Sequence, residues 1–381
     1  MDWPKLNVVG SVTQLAATAL TALGAEGGET AAMTDWAADR PLDRLILMVV
    51  DGLGWDQLER AWADGLTPNL ARLKEEARAR WQPLATVFPC MTPVALSSIL
   101  TGAAPARHGI VAQAMRTPEG MVDVLKGPWP PCGPLRLAAP DLAARCRSAG
   151  LEYAVMMEHR LRTGTLTELL HGTSPQLRTF MAASGLPVVW ASTLESMRRG
   201  LVYVYWSAVD TINHERGAYG PEWRAELATL DGWLGRWTSR VRPATRLWVT
   251  ADHGHVRAGR RLPYGELRRR LAWLPADPTH CGTGIGVDVP PIREEPLRAA
   301  VEELYGSDVS VNPVAALERA GFWGTGDGEA PWGRRVGTHL LWPETEGAYW
   351  AVTPEDRPYH SLHGGLSTAE MEVPWIDVDG G

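Results

Sequence analysis

Three short apolar runs, each followed within a few residues by an aspartate, constrain the fold of this chain more than any other feature. They read RLILMVV over Arg44–Val50, LVYVYW over Leu201–Trp206 and RLWVT over Arg246–Thr250. A continuous apolar run of this length is typical of a strand that is buried on both faces of a sheet. Because helical patterns alternate with the strand patterns up to residue 254, the sequence predicts an α/β fold with a doubly wound, mostly parallel sheet.

Four polar side chains stand just beyond predicted strands, namely Asp51, Thr92, Asp210 and Asp252. Ligand sites of open α/β sheets form beyond the carboxyl ends of the strands. The shared position therefore predicts that these four side chains lie together at one edge of the sheet. For Asp51, which has glycines close by, the simpler alternative is that it only begins a turn.

The stretch ATVFPCMTPVALSSILTG, residues 85–102, makes Thr92 a candidate nucleophile. A β-rich run, Trp81–Phe88, precedes Thr92, and an apolar segment typical of a helix, Pro93–Leu100, follows it. The pattern predicts Thr92 as the N-cap and Pro93 as the first helical residue. A helix N-terminus carries partial positive charge and free N–H groups, which suit a phosphate and a developing alkoxide. The alternative is that Thr92 only caps the helix.

Histidines accompany two of the aspartates. Asp210 and His214 are four residues apart in DTINH, so on a helix they project from one face. Asp252 and His253 are adjacent, and both can reach one centre where a strand bends into a loop. A further candidate, His363, precedes two glycines. The alternatives are a capping aspartate with a surface histidine, a capped turn and a loop histidine, respectively.

Together these residues predict a centre with two metal ions. Three carboxylates held close together would repel one another, and removing unpaired ions from water costs several kcal/mol each. Two divalent cations balance the charge of the carboxylates and of an ionised Thr92 hydroxyl. Mixed His and Asp ligands favour Zn²⁺, while manganese or iron also suits them. Two such ions about 4 Å apart would hold a phosphate and lower the pKa of a coordinated hydroxyl.

Five segments of the chain carry a resemblance to a known family. They read VVDGLGWD, FPCMTPVALSSILTG followed by PARHGI, DTINHERG, TADHG and HGGLSTAEMEVP, and they begin between Val49 and His363. In this order they resemble the type I phosphodiesterase/nucleotide pyrophosphatase branch of the alkaline phosphatase superfamily. Sulfatase chemistry is excluded because it needs Cys-x-Pro-x-Arg, whereas here Cys90 is followed by Met-Thr-Pro-Val. We expect Cys90 to be a small buried residue.

The resemblance implies two metal sites with three protein ligands each. The ligands are Asp210, His214 and His363 for one site and Asp51, Asp252 and His253 for the other. It also implies that Thr92 is the nucleophile and bridges towards the second metal. His108 falls in a family motif, but its implied role is structural and it stays outside the ligand set.

The implied reaction is metal-dependent hydrolysis of a phosphate ester in two steps, through a phosphorylated Thr92. Nucleotide-cleaving members follow the nucleophile with Phe-Pro-Asn-His, but here Pro93 and Val94 follow, so a nucleotide substrate is in doubt. Arg160 and Arg162 could approach a phosphate or form surface ion pairs. The alternatives are a phosphomonoesterase, a phosphotransferase or mutase on the same fold, and a non-catalytic scaffold that binds metal.

Composition and charge limit the kinds of partner and the cellular compartment that we expect for this chain. The chain has 381 residues and a net charge of −7 without runs of like charge, so we expect a small-molecule substrate and no nucleic-acid polymer. The four cysteines form no CxxC pair, which favours a reducing compartment. No signal peptide and no apolar run of membrane-spanning length stands out, so we expect a cytoplasmic protein with no membrane partner.

A change of pattern predicts two structural parts. Residues 1–254 and 347–381 are expected to form the catalytic core, and residues 255–346 a small α/β cap with many glycines and prolines. The cap, together with loops near residues 115–135 and 157–165, is expected to set the substrate preference. Oligomeric state is not indicated by the sequence.

Overall fold

A computed structural model describes residues 1–28, 30–33, 41–131, 133–172, 177–238, 244–325, 332–352 and 359–380. The strands within these ranges are β1 (Arg44–Val50), β2 (Ala79–Ala85), β3 (Ala114–Thr117), β4 (Gly120–Asp123), β5 (Glu152–Glu158), β6 (Leu177–Phe180), β7 (Gly200–Trp206), β8 (Thr245–Thr250), β9 (Val256–Arg257), β10 (Arg261–Pro263), β11 (Thr279–Cys281), β12 (Gly284–Val287), β13 (Val309–Pro313), β14 (His339–Pro343), β15 (Tyr349–Ala351), β16 (Ser361–Leu362) and β17 (Glu372–Asp379). The α-helices are α1 (Leu15–Ala22), α2 (Trp55–Ala63), α3 (Pro68–Glu75), α4 (Thr92–Thr101), α5 (Pro105–His108), α6 (Leu142–Ser148), α7 (Thr165–His171), α8 (Leu186–Ser196), α9 (Ala208–Arg216), α10 (Pro221–Thr238), α11 (Tyr264–Arg270), α12 (Glu294–Tyr305), α13 (Val314–Arg319), α14 (Trp332–Val336) and α15 (Thr368–Met371).

The larger sheet has seven strands in the order β2-β17-β8-β1-β7-β5-β6. Every neighbouring pair is parallel except the two pairs that β17 makes with β2 and β8. This arrangement confirms the predicted mostly parallel sheet. Because β1, β2, β7 and β8 run in the same direction, their carboxyl ends lie at one edge of the sheet.

The centre of this sheet explains why its strands could be recognised. All seven residues of β1 are buried, and β7 and β8 flank it on both sides. Apolar side chains on both faces of β1 are therefore covered, as the continuous run RLILMVV predicts. Burying such side chains on both faces is the main favourable contribution to folding at this position.

Helix α4 begins one residue earlier than predicted. Its N-cap is Met91, which has an extended backbone (φ −123°, ψ 144°), so Thr92 is the first helical residue rather than the cap. Pro93 fits in the first turn because no intrahelical bond needs its missing N–H. All ten residues of α4 are buried. The Thr92 hydroxyl makes no capping bond to the helix backbone and is directed elsewhere.

Two predicted elements were wrong in type or position. A helix was expected over 175–183, but residues 177–180 form the edge strand β6, which pairs in parallel with β5; residues 173–176 lie outside the described ranges. A strand was expected over 109–113, but the hairpin of β3 and β4 follows this segment instead. In both places, pairing with distant strands decides the structure over local preference. The predicted helix over 221–241 ends at Thr238, and its last predicted residues lie outside the described ranges.

A second sheet of six strands has the order β13-β14-β12-β11-β3-β4, and its paired strands are antiparallel. Four of its strands come from the segment 255–346, whereas β3 and β4 come from the segment assigned to the core. The division into a core and a cap stays a prediction. Residues 114–123 belong to the same sheet as the strands of the predicted cap, because β3 pairs with β11.

None of the helices in the described part of the chain combines the length and the apolarity that a membrane crossing requires.

Candidate active site

Asp51 and Asp252 are the two buried carboxylates at the carboxyl edge of the larger sheet. Asp51 directly follows β1, and Asp252 follows β8 after one residue. Both side chains are buried, with Asp252 at 0% exposure. The Gly52 N–H donates to Asp252 Oδ1 at 3.1 Å, and the Asp210 N–H donates to the Asp51 carbonyl at 2.9 Å. These bonds join the ends of three neighbouring strands.

Gly52 permits this close approach. Its φ of +74° lies in the left-handed region that favours glycine. A Cβ at this position would lie 2.8 Å from the Asp210 Cα and 2.8 Å from His255 Nε2. The glycine after Asp51 therefore lets the β1 loop and α9 meet.

The charges of Asp51 and Asp252 are only partly balanced by the protein. Burial raises the pKa of Asp51 well above its usual value, and the nearby Asp252 and Asp210 carboxylates raise it further. The Tyr205 hydroxyl donates to Asp51 Oδ2 and opposes this shift. Asp51 Oδ1 and Asp252 Oδ2 are buried without a hydrogen-bond partner. Such atoms are costly in a protein interior unless a cation or another donor reaches them.

His253 connects the carboxylates to Thr92. Its Nδ1 lies 3.2 Å from the Gly254 carbonyl, which can only accept, so Nδ1 carries the hydrogen and Nε2 presents a lone pair. Nε2 lies 3.4 Å from Asp51 Oδ1 and 3.4 Å from Asp252 Oδ2. It also lies 3.2 Å from Thr92 Oγ1. The Thr92 hydroxyl is therefore part of this cluster and can donate to His253.

Asp210 is the centre of a second cluster. Its Oδ1 lies 3.3 Å from His214 Nε2, one turn along α9, and 3.8 Å from His363 Nε2. Burial lowers the pKa of His214, but the Asp210 carboxylate outweighs burial and the net direction is upward. Burial, followed by the neighbouring imidazoles, lowers the pKa of His363 well below its usual value. For Asp210 burial raises the pKa, but the neighbouring His214 and His255 outweigh burial and leave the pKa well below its usual value.

The structure thus brings all seven sequence-predicted side chains together. Among the described residues, two sets offer ligand atoms that all lie within 4.8 Å of one another, and both contain His253. The sets are Asp51, Asp252 and His253, and Asp210, His253, His255 and His363. His214 stands beside the second set through its contact with Asp210.

Sequence reasoning missed three residues of the site. His255 Nε2 lies 2.9 Å from Asp210 Oδ1, and its position two residues after His253 was the available signal. Ser361 accepts from His214 Nδ1 through its backbone carbonyl at 2.9 Å. Tyr205 reaches Asp51 from the end of an otherwise apolar strand. The last two give no signal in sequence, because a serine and a strand tyrosine are common at structural positions.

Other candidates lie outside the ligand clusters. Arg160 donates to Glu158 and Ser207, and Arg162 donates to the His159 carbonyl, so both have structural partners. Cys90 is buried, its thiol donates to the Gly365 carbonyl at 3.1 Å, and burial raises the pKa of this thiol well above its usual value. Its expected place as a small buried residue beside the site is confirmed.

Sequence comparison then identifies the family. A model of the family described as type I phosphodiesterase / nucleotide pyrophosphatase matches residues 45–127 and 138–267, more than half of the chain. The chain belongs to the type I phosphodiesterase/nucleotide pyrophosphatase family. Membership in this family makes it a phosphoric ester hydrolase of the alkaline phosphatase superfamily. A search of curated protein sequences found no significant match.

Solved structures share the fold. Murine ectonucleotide pyrophosphatase/phosphodiesterase 5, an inactive variant in complex with AMP, superposes with a TM-score of 0.65 at 17% identity over 87% of each chain. Phosphonoacetate hydrolase from Sinorhizobium meliloti 1021, in complex with phosphonoformate, superposes with a TM-score of 0.66 at 21% identity. That match covers 90% of this chain and 92% of the hydrolase. The predicted alkaline-phosphatase-like fold is confirmed.

Proposed function

We propose that this phosphoric ester hydrolase depends on two divalent cations and uses Thr92 as its nucleophile. The observation that carries the proposal is the 3.2 Å contact between Thr92 Oγ1 and His253 Nε2, inside a cluster of buried carboxylates. A hydroxyl at the first position of a helix, next to a metal-ligating set, suits attack on phosphorus.

The residues present fit the cations. Asp51 Oδ1 and Asp252 Oδ2 are buried without a hydrogen-bond partner, so a bound cation would stabilise them. In four histidines in or beside the clusters, Nδ1 contacts a protein oxygen atom. This contact directs Nε2 into the cluster, as is common for histidines that bind metals. One cation would be held by Asp210, His214 and His363, and the other by Asp51, Asp252, His253 and Thr92. This donor set favours zinc, with manganese also possible.

When bound, the cations would supply Lewis-acid stabilisation of negative charge and lower the pKa of the Thr92 hydroxyl. The chain's own part is to hold Thr92 at the start of α4, where the partial positive charge of the helix attracts a phosphate. A bond forms between Thr92 Oγ1 and phosphorus as the bond to the leaving alcohol oxygen breaks. The proton lost by Thr92 ends on the leaving alcohol. Water then attacks the phosphothreonine, which restores the hydroxyl and releases phosphate from a monoester substrate or a phosphate monoester from a diester.

A cleft of about 600 Å³ in front of Thr92 suits a small substrate. It is lined on the side of the clusters by Thr92, Asp210, His214 and His363, and on the side of the second sheet by Gln113, Lys126 and His280. AMP and phosphonoformate, bound by the two structural neighbours, are small phosphorus compounds of this kind. We therefore propose a small-molecule phosphate ester, with residues on the second-sheet side of the cleft contacting its leaving group. The cytoplasmic location stays a prediction from the sequence.

The test is hydrolysis of p-nitrophenyl phosphate and bis(p-nitrophenyl) phosphate with zinc, manganese or magnesium, extended to AMP and phosphonoacetate. Wild-type protein should turn over at least one ester with zinc or manganese and lose this activity with a chelator. Thr92→Ala should reduce the rate by about a thousandfold or more, because the attacking oxygen is gone. Its metal content, measured by elemental analysis, should stay near that of the wild type.

Thr101→Ala is the matched control, since Thr101 is a buried threonine of the same helix whose hydroxyl bonds to the Ser97 carbonyl at 2.6 Å. It should leave the rate nearly unchanged. A Thr92→Ala variant with wild-type rates would exclude the nucleophile, and full activity after metal removal would exclude the cations. Phosphate transfer to an added alcohol would favour the transferase alternative, and a protein without bound metal or activity would favour the scaffold alternative.

A further inference from the structure

His255 is a fourth imidazole at the Asp210 cluster and is not among the ligands that the family motifs imply. It is 5% exposed. Its ring centroid lies 4.8 Å from that of His214 and 5.1 Å from that of His363. Its Nε2 lies 2.9 Å from Asp210 Oδ1, which is shorter than the corresponding distances of 3.3 Å for His214 and 3.8 Å for His363.

The hydrogen bonds of Ser361 determine which nitrogen of His255 carries the hydrogen. The Ser361 hydroxyl lies 2.6 Å from the Asn213 carbonyl, which can only accept, so the hydroxyl hydrogen is used in that bond. His255 Nδ1 lies 3.2 Å from the same Ser361 Oγ. With Nδ1 as the donor to this oxygen, Nε2 of the neutral imidazole carries a lone pair. That lone pair faces the Asp210 carboxylate, so two acceptors face each other.

The other two imidazoles of this cluster have the same orientation. His214 Nδ1 lies 2.9 Å from the Ser361 carbonyl, and His363 Nδ1 lies 3.0 Å from the Cys90 carbonyl. Both carbonyls can only accept, so in the neutral imidazoles both Nε2 atoms present lone pairs towards Asp210. The Nε2 atoms of His255 and His363 and a carboxylate oxygen of Asp210 lie within 4.8 Å of one another, and His214 Nε2 lies beside them, 3.3 Å from Asp210 Oδ1. A cation among these atoms would accept the lone pairs and balance the carboxylate charge.

We propose that His255 Nε2 is a direct ligand of the cation on the Asp210 side, which gives that site three imidazoles and one carboxylate. The proposal rests on the two-metal function proposed above and adds a ligand to one of its sites. Three nitrogens and one oxygen suit Zn²⁺, whereas Mg²⁺ prefers oxygen ligands. The Asp210 site should therefore retain zinc more strongly than the Asp51 site.

The test measures zinc affinity directly, by competition with a chromophoric chelator, together with the number of zinc ions per chain. His255→Phe keeps a ring of similar shape and removes both nitrogens. It should weaken one of the two sites by more than about a hundredfold, which exceeds the loss expected when a residue only orients a ligand, and leave the other within about threefold. His171→Phe is the matched control, since His171 is also buried and packs against Tyr203 but belongs to neither ligand cluster. It should keep both affinities.

A His255→Phe protein with both zinc affinities unchanged would overturn the proposal, while wild-type protein that binds no zinc would instead contradict the two-metal function. If His255→Phe does not fold, Ser361→Ala addresses the same contact. This variant removes the hydroxyl that orients His255 but keeps the carbonyl that orients His214. It should weaken one site by about tenfold, and an unchanged affinity would count against the proposal.

Discussion

At the scale of a single residue, Asp51 lowers the stability of the metal-free fold because its carboxylate is buried in the site. Its carboxylate is buried beside Asp252, and one of its oxygens has no hydrogen-bond partner. Its raised pKa means that ionisation is less favourable in the folded protein than in the unfolded chain. At neutral pH without metal this charge therefore destabilises the fold, and bound cations should reverse the sign of its contribution.

This reversal gives a prediction for Asp51→Asn. Asparagine keeps an oxygen that can accept from Tyr205 but removes the charge next to Asp252. In the presence of a chelator the variant should be more stable than the wild type by about 1–3 kcal/mol, and in the presence of zinc it should be less stable. Denaturant unfolding under both conditions measures this. Asp277→Asn, which removes an exposed charge, is the control and should shift neither condition by more than about 0.5 kcal/mol. A loss of stability in both conditions would contradict this interpretation of Asp51.

Among single residues, the sequence identifies those that have a metal-binding side chain and also follow a predicted strand. Asp51, Asp210 and Asp252 follow recognisable strands, so their proximity could be inferred from the sequence alone. His255 could not be recognised in the same way, because a residue two places beyond His253 faces the cluster only if the loop bends as it does here. Ser361 contacts His214 through its carbonyl and His255 through its hydroxyl, and no local sequence pattern indicates either contact.

At the scale of elements, a buried histidine on α5 forms a hydrogen bond to α4. His108 is 0% exposed, and its Nε2 lies 2.9 Å from Ser98 Oγ on α4. Its Nδ1 accepts from the Ile110 N–H at 3.1 Å, so the neutral tautomer with hydrogen on Nε2 fits the site. Burial, with a contribution from Arg335, lowers its pKa from 6.5 to about 3. Its position between two helices of the fold agrees with the structural role expected for it.

His108 should therefore make stability depend on pH. The folded protein holds this imidazole neutral down to about pH 3, whereas the unfolded chain protonates it below about pH 6.5. Stability should fall as the pH drops from 6.5 towards 3, with a cost of about 2 kcal/mol at pH 5 from this residue. His108→Gln should show a smaller loss between pH 7 and pH 5 than the wild type in urea unfolding. An equal loss in both proteins would mean that His108 does not carry this effect.

Elements differed in how far the sequence could predict them. Strand β1 was predicted over its full length, because a strand covered on both faces must be apolar throughout. The sequence predicts a helix where strand β6 lies, because four residues are too few to show a periodic pattern and the pairing with β5 is not local. The start of α4 was off by one residue, since Met91 rather than Thr92 has the extended backbone of a cap.

At the scale of the whole molecule, the parallel sheet gathers side chains that are more than three hundred residues apart in sequence. The order of strands places the ends of β1, β7 and β8 side by side, and the segment that contains His363 completes the site. This part of the architecture follows from the alternation of strands and helices. The six-stranded sheet did not follow, because β3 and β4 join strands more than a hundred residues later, and short strands give no signal of their distant partners.

Metal removal should destabilise the whole molecule, since cations that bind only the folded state add their binding free energy to its stability. At a zinc concentration a hundredfold above the dissociation constant, each site should contribute about 2.7 kcal/mol. Eighteen tryptophans provide a fluorescence signal for denaturant unfolding with zinc and with chelator. Equal midpoints under the two conditions would mean that the clusters do not bind zinc in the folded protein.

The proposed metal centre is best tested by a crystal structure of the zinc-loaded protein, with the ions located by their anomalous scattering. We expect two zinc ions per chain, one at Asp51, Asp252, His253 and Thr92 and the other at Asp210, His214, His255 and His363, with ligand distances near about 2.0–2.2 Å. A structure in which zinc binds elsewhere, or in which Thr92 Oγ1 faces away from both ions, would contradict the proposed centre.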